Sequence, residues 1–252
     1  MCIRDRRTPR LEEAVEDRLK RSGFGPEWKE PVSAMVRRVL SAPLDPSFPG
    51  LVLEKVGVED RLNELEFYFP LRTIDPERLA RAFSGLAPAE NLAAFPLSLE
   101  GLRFDPARGF MKGFMDLVFR REGRYFLVDW KSNHLGNHVT DYDPSSLARA
   151  MREELYVLQY LIYTLALDRY LSMRVPGYRY ETHFGGVYYL FLRGVDPEAG
   201  PDYGIYRDRP PAHLMARLRD ILLDEGDHPG SMVPAPSREM LPHNSEAPEE
   251  GQ

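Results

Sequence analysis

The sequence predicts an α/β or α+β fold in which a central mixed sheet is flanked by helices, and three observations carry that prediction. Two apolar runs, residues 113–119 and 124–131, flank Glu122-Gly123 and read as the arms of a β-hairpin. Residues 185–192 are almost continuously apolar, as in a strand buried on both faces. Segments of helical periodicity lie before, between and after these runs, which suits helices packed around one sheet.

Taken in order, residues 1–10 form an unmatched leader, and Leu11–Arg21 and Pro26–Leu40 have helical spacing. The second helix carries Trp28, Val32, Met35, Val36 and Val39 as an apolar stripe, with Pro31 straining its first turns. Asn63–Pro70 alternates like a strand, Asp75-Pro76 offers an N-cap with proline at N1 for a helix through Phe83, and Gly85–Leu102 reads as a long loop. The hairpin follows, then a polar loop over Ser132–Tyr142. Asp143-Pro144 caps a helix running to about Tyr170, and another helix spans Pro211–Leu223. One domain over 11–225 accounts for these elements. The Pro-, Ser- and Glu-rich tail, 226–252, is expected to be disordered.

The hairpin brings chemistry together. Folding at Glu122-Gly123 pairs Arg121 with Arg124, Phe119 with Phe126 and Asp116 with Asp129. Cross-strand neighbours lie about 4.5–5.5 Å apart, and like charges placed so are destabilising without a proton or a cation between them. A two- or four-residue loop preserves this pairing, whereas a three-residue loop sends the carboxylates to opposite faces. Glu122 suits a left-handed turn position poorly, so the wider loop is expected, with Gly123 at positive φ. Lys131 shares the face of Asp129. Two carboxylates suit a hard divalent ion such as Mg²⁺, and an adjacent ammonium suits a water or a phosphate oxygen, so a phosphodiester-cleaving metal site is expected. A plain Asp129–Lys131 salt bridge is the competing reading.

Other residues leave alternatives open. Glu64 and Glu66 share a strand face, where either one approaches the metal or both are solvated. Gln159 and Tyr163 are one helical turn apart, with Tyr156 and Tyr160 nearby, a pattern that fits a packed face or an amide and a phenol holding a phosphate or a base. His134 and His138 flank Gly136 in a loop and read as surface residues. No Gly-x-Ser-x-Gly elbow, Cys-x-x-Cys pair, dinucleotide fingerprint or P-loop is present, which excludes serine hydrolases, zinc ribbons, Rossmann enzymes and P-loop ATPases.

Composition supports a sizeable core: 252 residues, 43% hydrophobic. No apolar run approaches the roughly 20 residues of a membrane helix, no signal peptide precedes the domain, and a single cysteine, Cys2, agrees with a reducing compartment, so a cytoplasmic location is expected. The net charge of −6 is unevenly spread. From residue 220 onward there are eight acids and one base, leaving +1 on residues 1–219. Residues 103–131 hold seven bases against four acids, so the proposed site has locally positive surroundings.

The runs 112–133, 158–171 and 183–195, from about Leu11 to Leu223, resemble the RecB-type nuclease domains of the PD-(D/E)xK superfamily. The resemblance implies a restriction-endonuclease-like core and a Mg²⁺-dependent exodeoxyribonuclease. It also implies that Asp116 and Asp129 bind the ion with the Trp130 carbonyl, that Lys131 is the motif lysine, that Glu64 rather than Glu66 is the nearby acid, and that Gln159 and Tyr163 are functional. DNA, RecC- and RecD-type subunits and a RecA-type recombinase are the implied partners. Two departures stand out: Trp130 occupies a position often held by tyrosine, and the family's upstream histidine ligand is missing, since no histidine precedes His134. Because Met1–Arg7 also matches nothing in the family, the chain reads as a fragment lacking the helicase part. Readings that compete on function are a non-catalytic docking module with a vestigial site and a restriction-like endonuclease acting alone.

Overall fold

The computed structural model of the protein describes residues 8–74, Glu77 and residues 107–223. Two helices, α1 (Thr8–Arg21) and α2 (Lys29–Ser41), precede a sheet whose strands lie in chain order: β1 (Arg61–Ile74), β2 (Ala107–Arg121), β3 (Arg124–Lys131), β4 (Phe184–Phe191) and β5 (Ile205–Asp208). β1, β2 and β3 pair antiparallel, β4 runs parallel to β3, and β5 pairs antiparallel with β4. A parallel neighbour requires a crossover, and it is made by α3 (Pro144–Glu153), α4 (Tyr156–Arg174) and the short α5 (Tyr180–His183). α6 (Ala212–Leu222) follows the last strand. The mixed sheet with helices on it is the class the sequence predicts.

Both faces of the sheet are covered. One packs against α3, α4 and α6 through Leu65, Phe67, Met115, Leu127 and Val187. The other carries Leu117, Phe119, Phe126, Val128 and Tyr188 beneath Val39, Leu44, Leu51 and Leu53. β3 therefore alternates between two cores, with Tyr125 and Leu127 in one and Phe126 and Val128 in the other, which is why it reads as uniformly apolar.

The alternation slips at one place. On β2, Met115 and Val118 both lie in the helix-side core, while Leu117 lies in the other; on β1, Leu62 and Leu65 share the helix side. Between them Glu64 takes a left-handed φ of 54°, at the register position opposite Asp116. Both strands roll together there, so their pairing continues on either side, from Asn63–Leu117 to Leu65–Met115.

Several expectations change. The hairpin turn is the two-residue kind, with Glu122 at φ 49° and Gly123 at 73°, not the wider loop. Such a turn follows the right-handed twist of its arms, and their pairing holds Glu122 in a conformation it disfavours alone. The expected register stands from Arg121–Arg124 to Leu117–Val128. The hairpin arms are interior strands, and the predicted site residues lie at the end of the central strand.

The helix expected from Asp143 to Tyr170 is broken at Leu155, φ 55°. Met151 and Val157 both face the core, yet six residues of continuous helix would set them about 120° apart, so the break re-aims the apolar face. Asp143 does cap α3, accepting from the Ser146 amide at 2.7 Å. Residues 26–28 form a 3₁₀ turn before α2, which places Pro31 third in that helix, where no intrahelical amide bond is lost; Trp28 is exposed rather than part of the buried stripe. β1 is longer than expected, and β5 and α5 were not anticipated. The predicted 75–83 helix, apart from Glu77, the 85–102 loop, Cys2 and the 226–252 tail lie outside the described residues. No helix among the described residues is long and apolar enough to cross a membrane.

Candidate active site

At the end of β3 the β2–β3 ladder stops at Leu117–Val128, and the side chain of Asp116 takes over: its Oδ2 accepts the Trp130 amide at 2.9 Å. One step along, Asp129 points to the helix side with Lys131, as their spacing requires. The Lys131 ammonium lies 2.6 Å from Asp129 Oδ2, and both residues are buried, at 8% and 4% exposure. Burial pushes the Asp129 carboxyl up to about 6; Lys131 pulls against that rise, and the Asp116 charge adds to it. The two carboxylates thus stand close enough to feel one another, in a corner with one ammonium among the described residues.

α4 closes the helix side. Gln159 Oε1 accepts from Lys131 Nζ at 2.8 Å and from the Tyr189 hydroxyl at 3.1 Å, and its amide nitrogen donates to the Tyr163 hydroxyl at 3.0 Å. Lys131 also sits over two aromatic rings, 3.7 Å from the centroid of Tyr156 and 4.9 Å from that of Tyr189. Tyr156 is tied in turn to Asn133 Oδ1 at 3.1 Å. The Tyr163 ring meets Phe67 of β1 edge to face at 5.4 Å. Phe67 has room because residue 113 is glycine; a Cβ there would come within 2.5 Å of its Cζ.

The remaining candidates sit differently. Glu66 is ion-paired with Lys112 at 2.6 Å. Glu64 is exposed at the strained position opposite Asp116, and among the described residues no three His, Cys, Asp or Glu side chains gather at metal-binding spacing. The Trp130 ring packs against the far core, leaving its backbone beside the two aspartates. His134 and His138 are exposed, and Tyr160 is a core residue bonded to Asp208 at 2.6 Å. Sequence reasoning missed Tyr189, which lies at the parallel register position of Asp129. A Tyr-Tyr pair in an otherwise apolar strand was the available signal, because a buried phenol needs a partner.

A pair of aspartates offers the hard oxygen donors a divalent ion prefers, and two carboxylates held together in a buried corner are the electrostatic arrangement that such an ion relieves. The residues present therefore fit a divalent metal.

The sequence profile of the PD-(D/E)XK nuclease superfamily matches residues 10–232. The chain is similar to the RecBCD enzyme subunit RecB of Escherichia coli, 43% identical over 211 residues covering 82% of this chain and 17% of the relative. It is 38% identical to that of Haemophilus influenzae over 207 residues, 81% of this chain and 16% of the relative. The Mycobacterium tuberculosis subunit is 38% identical over 203 residues, 73% of this chain and 18% of the relative. The chain thus spans under a fifth of the length of these curated relatives, whose names speak of the RecBCD enzyme and not of a recombinase.

Proposed function

The chain belongs to the PD-(D/E)XK nuclease superfamily, and from that premise we propose that it is the Mg²⁺-dependent DNA nuclease domain of a RecBCD-type helicase-nuclease, acting as an exodeoxyribonuclease in double-strand break repair. The observation that carries the reading is the convergence of Asp116, Asp129 and Lys131 at the end of the central strand, with Gln159 and Tyr163 facing them. Asp116, Asp129 and the Trp130 carbonyl would hold the ion, with Glu64 as a further or water-mediated ligand. When bound, the ion polarises the phosphate and lowers the pKa of a bound water. Lys131, held between Asp129 and Gln159, presents positive charge to the phosphate as negative charge develops on it. Gln159 and Tyr163 position the strand. RecC- and RecD-type subunits would deliver DNA unwound by a helicase part.

Cleavage of linear DNA with Mg²⁺, with Ca²⁺ and with EDTA tests this reading on the chain and on Asp129→Ala. The expected outcome is Mg²⁺-dependent degradation that the substitution abolishes. Equal activity in both proteins would reveal a contaminating nuclease, and none in either would favour a docking module. Discrete sequence-dependent cuts in intact duplex would point instead to an endonuclease acting alone.

A further inference from the structure

The hydrogen bonds around Gln159 have only one consistent direction. Lys131 Nζ can only donate, so the Gln159 atom 2.8 Å from it is the carbonyl oxygen, whatever the apparent symmetry of the amide. The Tyr189 hydroxyl, 3.1 Å from the same oxygen, must then donate as well. With Oε1 occupied by two donors, the Gln159 NH₂ faces Tyr163 and donates to its oxygen at 3.0 Å. Tyr163 is thereby left with its own O–H to give, and no described residue accepts it. That hydroxyl lies in the field of Asp116 and Asp129, and burial keeps it protonated.

We propose that Tyr189 is a positioning residue for phosphodiester recognition: donating to Gln159 Oε1 beside Lys131, it locks the amide so that Tyr163 turns its hydroxyl hydrogen outward onto a phosphate oxygen of the DNA strand. This rests on the nuclease reading and adds to it a residue that never touches the substrate. Tyr189 is fully buried on β4, where its ring also faces Lys131. Tyr189→Phe therefore removes the directing hydroxyl while keeping the ring and its packing.

The test is a double-mutant cycle on Tyr189→Phe and Tyr163→Phe, read in two ways: the affinity for a single-stranded oligonucleotide in EDTA, and the single-turnover cleavage rate with Mg²⁺. Each single substitution should weaken DNA binding or slow cleavage by about tenfold or more, the size of one hydrogen bond to a charged phosphate oxygen. The double variant should be no worse than Tyr163→Phe alone. Tyr156→Phe, which removes a hydroxyl bonded to Asn133 rather than Gln159, should show no coupling to Tyr163. Losses that simply multiply, or a Tyr163→Phe protein with wild-type binding and rate, would overturn the proposal, and thermal melts of each variant separate these outcomes from misfolding. If the chain binds DNA without cutting it, the nuclease reading fails while the binding cycle still decides the role of Tyr189; absence of both binding and cleavage sinks both.

Discussion

In the metal-free protein, raising the pH from 4 to 7 should remove about 2 kcal/mol of folding stability through Asp129, most of the effect of moving one carboxyl from 3.8 to about 6. The sign follows from the burial of this group at 4% exposure. In the unfolded chain the carboxyl ionises at its ordinary value; in the fold, loss of water and the neighbouring Asp116 charge favour its protonated form against the pull of Lys131. Its contribution is thus fully present below the unfolded value and is lost as the pH rises through the folded one. Other carboxylates titrate in the same range, so the comparison needed is with Asp129→Asn, which has nothing to ionise there. Urea denaturation in EDTA at pH 4, 5, 6 and 7 should give a wild-type-minus-variant stability difference that falls by about 2 kcal/mol across the series. Curves that stay parallel would refute the argument that Asp129 is buried against its own charge. A divalent ion that binds the ionised pair should restore wild-type stability at pH 7 far more than at pH 4, and should do less for the variant.

Two further outcomes follow from contacts near the site and behind it. Gly113→Ala would put a Cβ within 2.5 Å of the Phe67 ring, so it should cost about 1–3 kcal/mol of stability and, by displacing Phe67 from Tyr163, slow cleavage well below the melting temperature; wild-type cleavage in this variant would show that Phe67 does not hold Tyr163 in place. Arg219→Ala strips the buried Asp168 of the guanidinium that ties α6 to α4, and should cost about 1–3 kcal/mol at neutral pH and less as the pH is lowered, because burial raises the Asp168 carboxyl and a neutral acid no longer needs the guanidinium; a loss that does not change with pH in denaturation curves would contradict the pairing.

Local pattern made much of this architecture legible. Alternation and turn residues placed the β2–β3 hairpin, and pairing Arg121 with Arg124 was enough to set its register as far as Leu117–Val128; the expected Asp116–Asp129 pair lies one step past the ladder's end, where Asp116 accepts the Trp130 amide instead. The cap at Asp143 was legible because a side-chain oxygen meets an amide three residues away. The break at Leu155 was not, since continuous helical propensity runs through it and the reason to stop lies in the sheet that both halves must face. β5, four residues long, gave too short a signal to compete with the loop around it.

The sequence by itself determined which groups carry chemistry and which of them share a strand face, because strand and helix periodicity is a local property of the chain. Only the tertiary structure decided what surrounds them. The parallel contact between β3 and β4 joins residues about sixty positions apart and puts Tyr189 beside Asp129, and the packing of α4 on the sheet hands Gln159 to Lys131. Those meetings depend on how two apolar surfaces fit together, which no short stretch of sequence encodes, and they set the burial that raises Asp129 and the direction in which Tyr163 can donate.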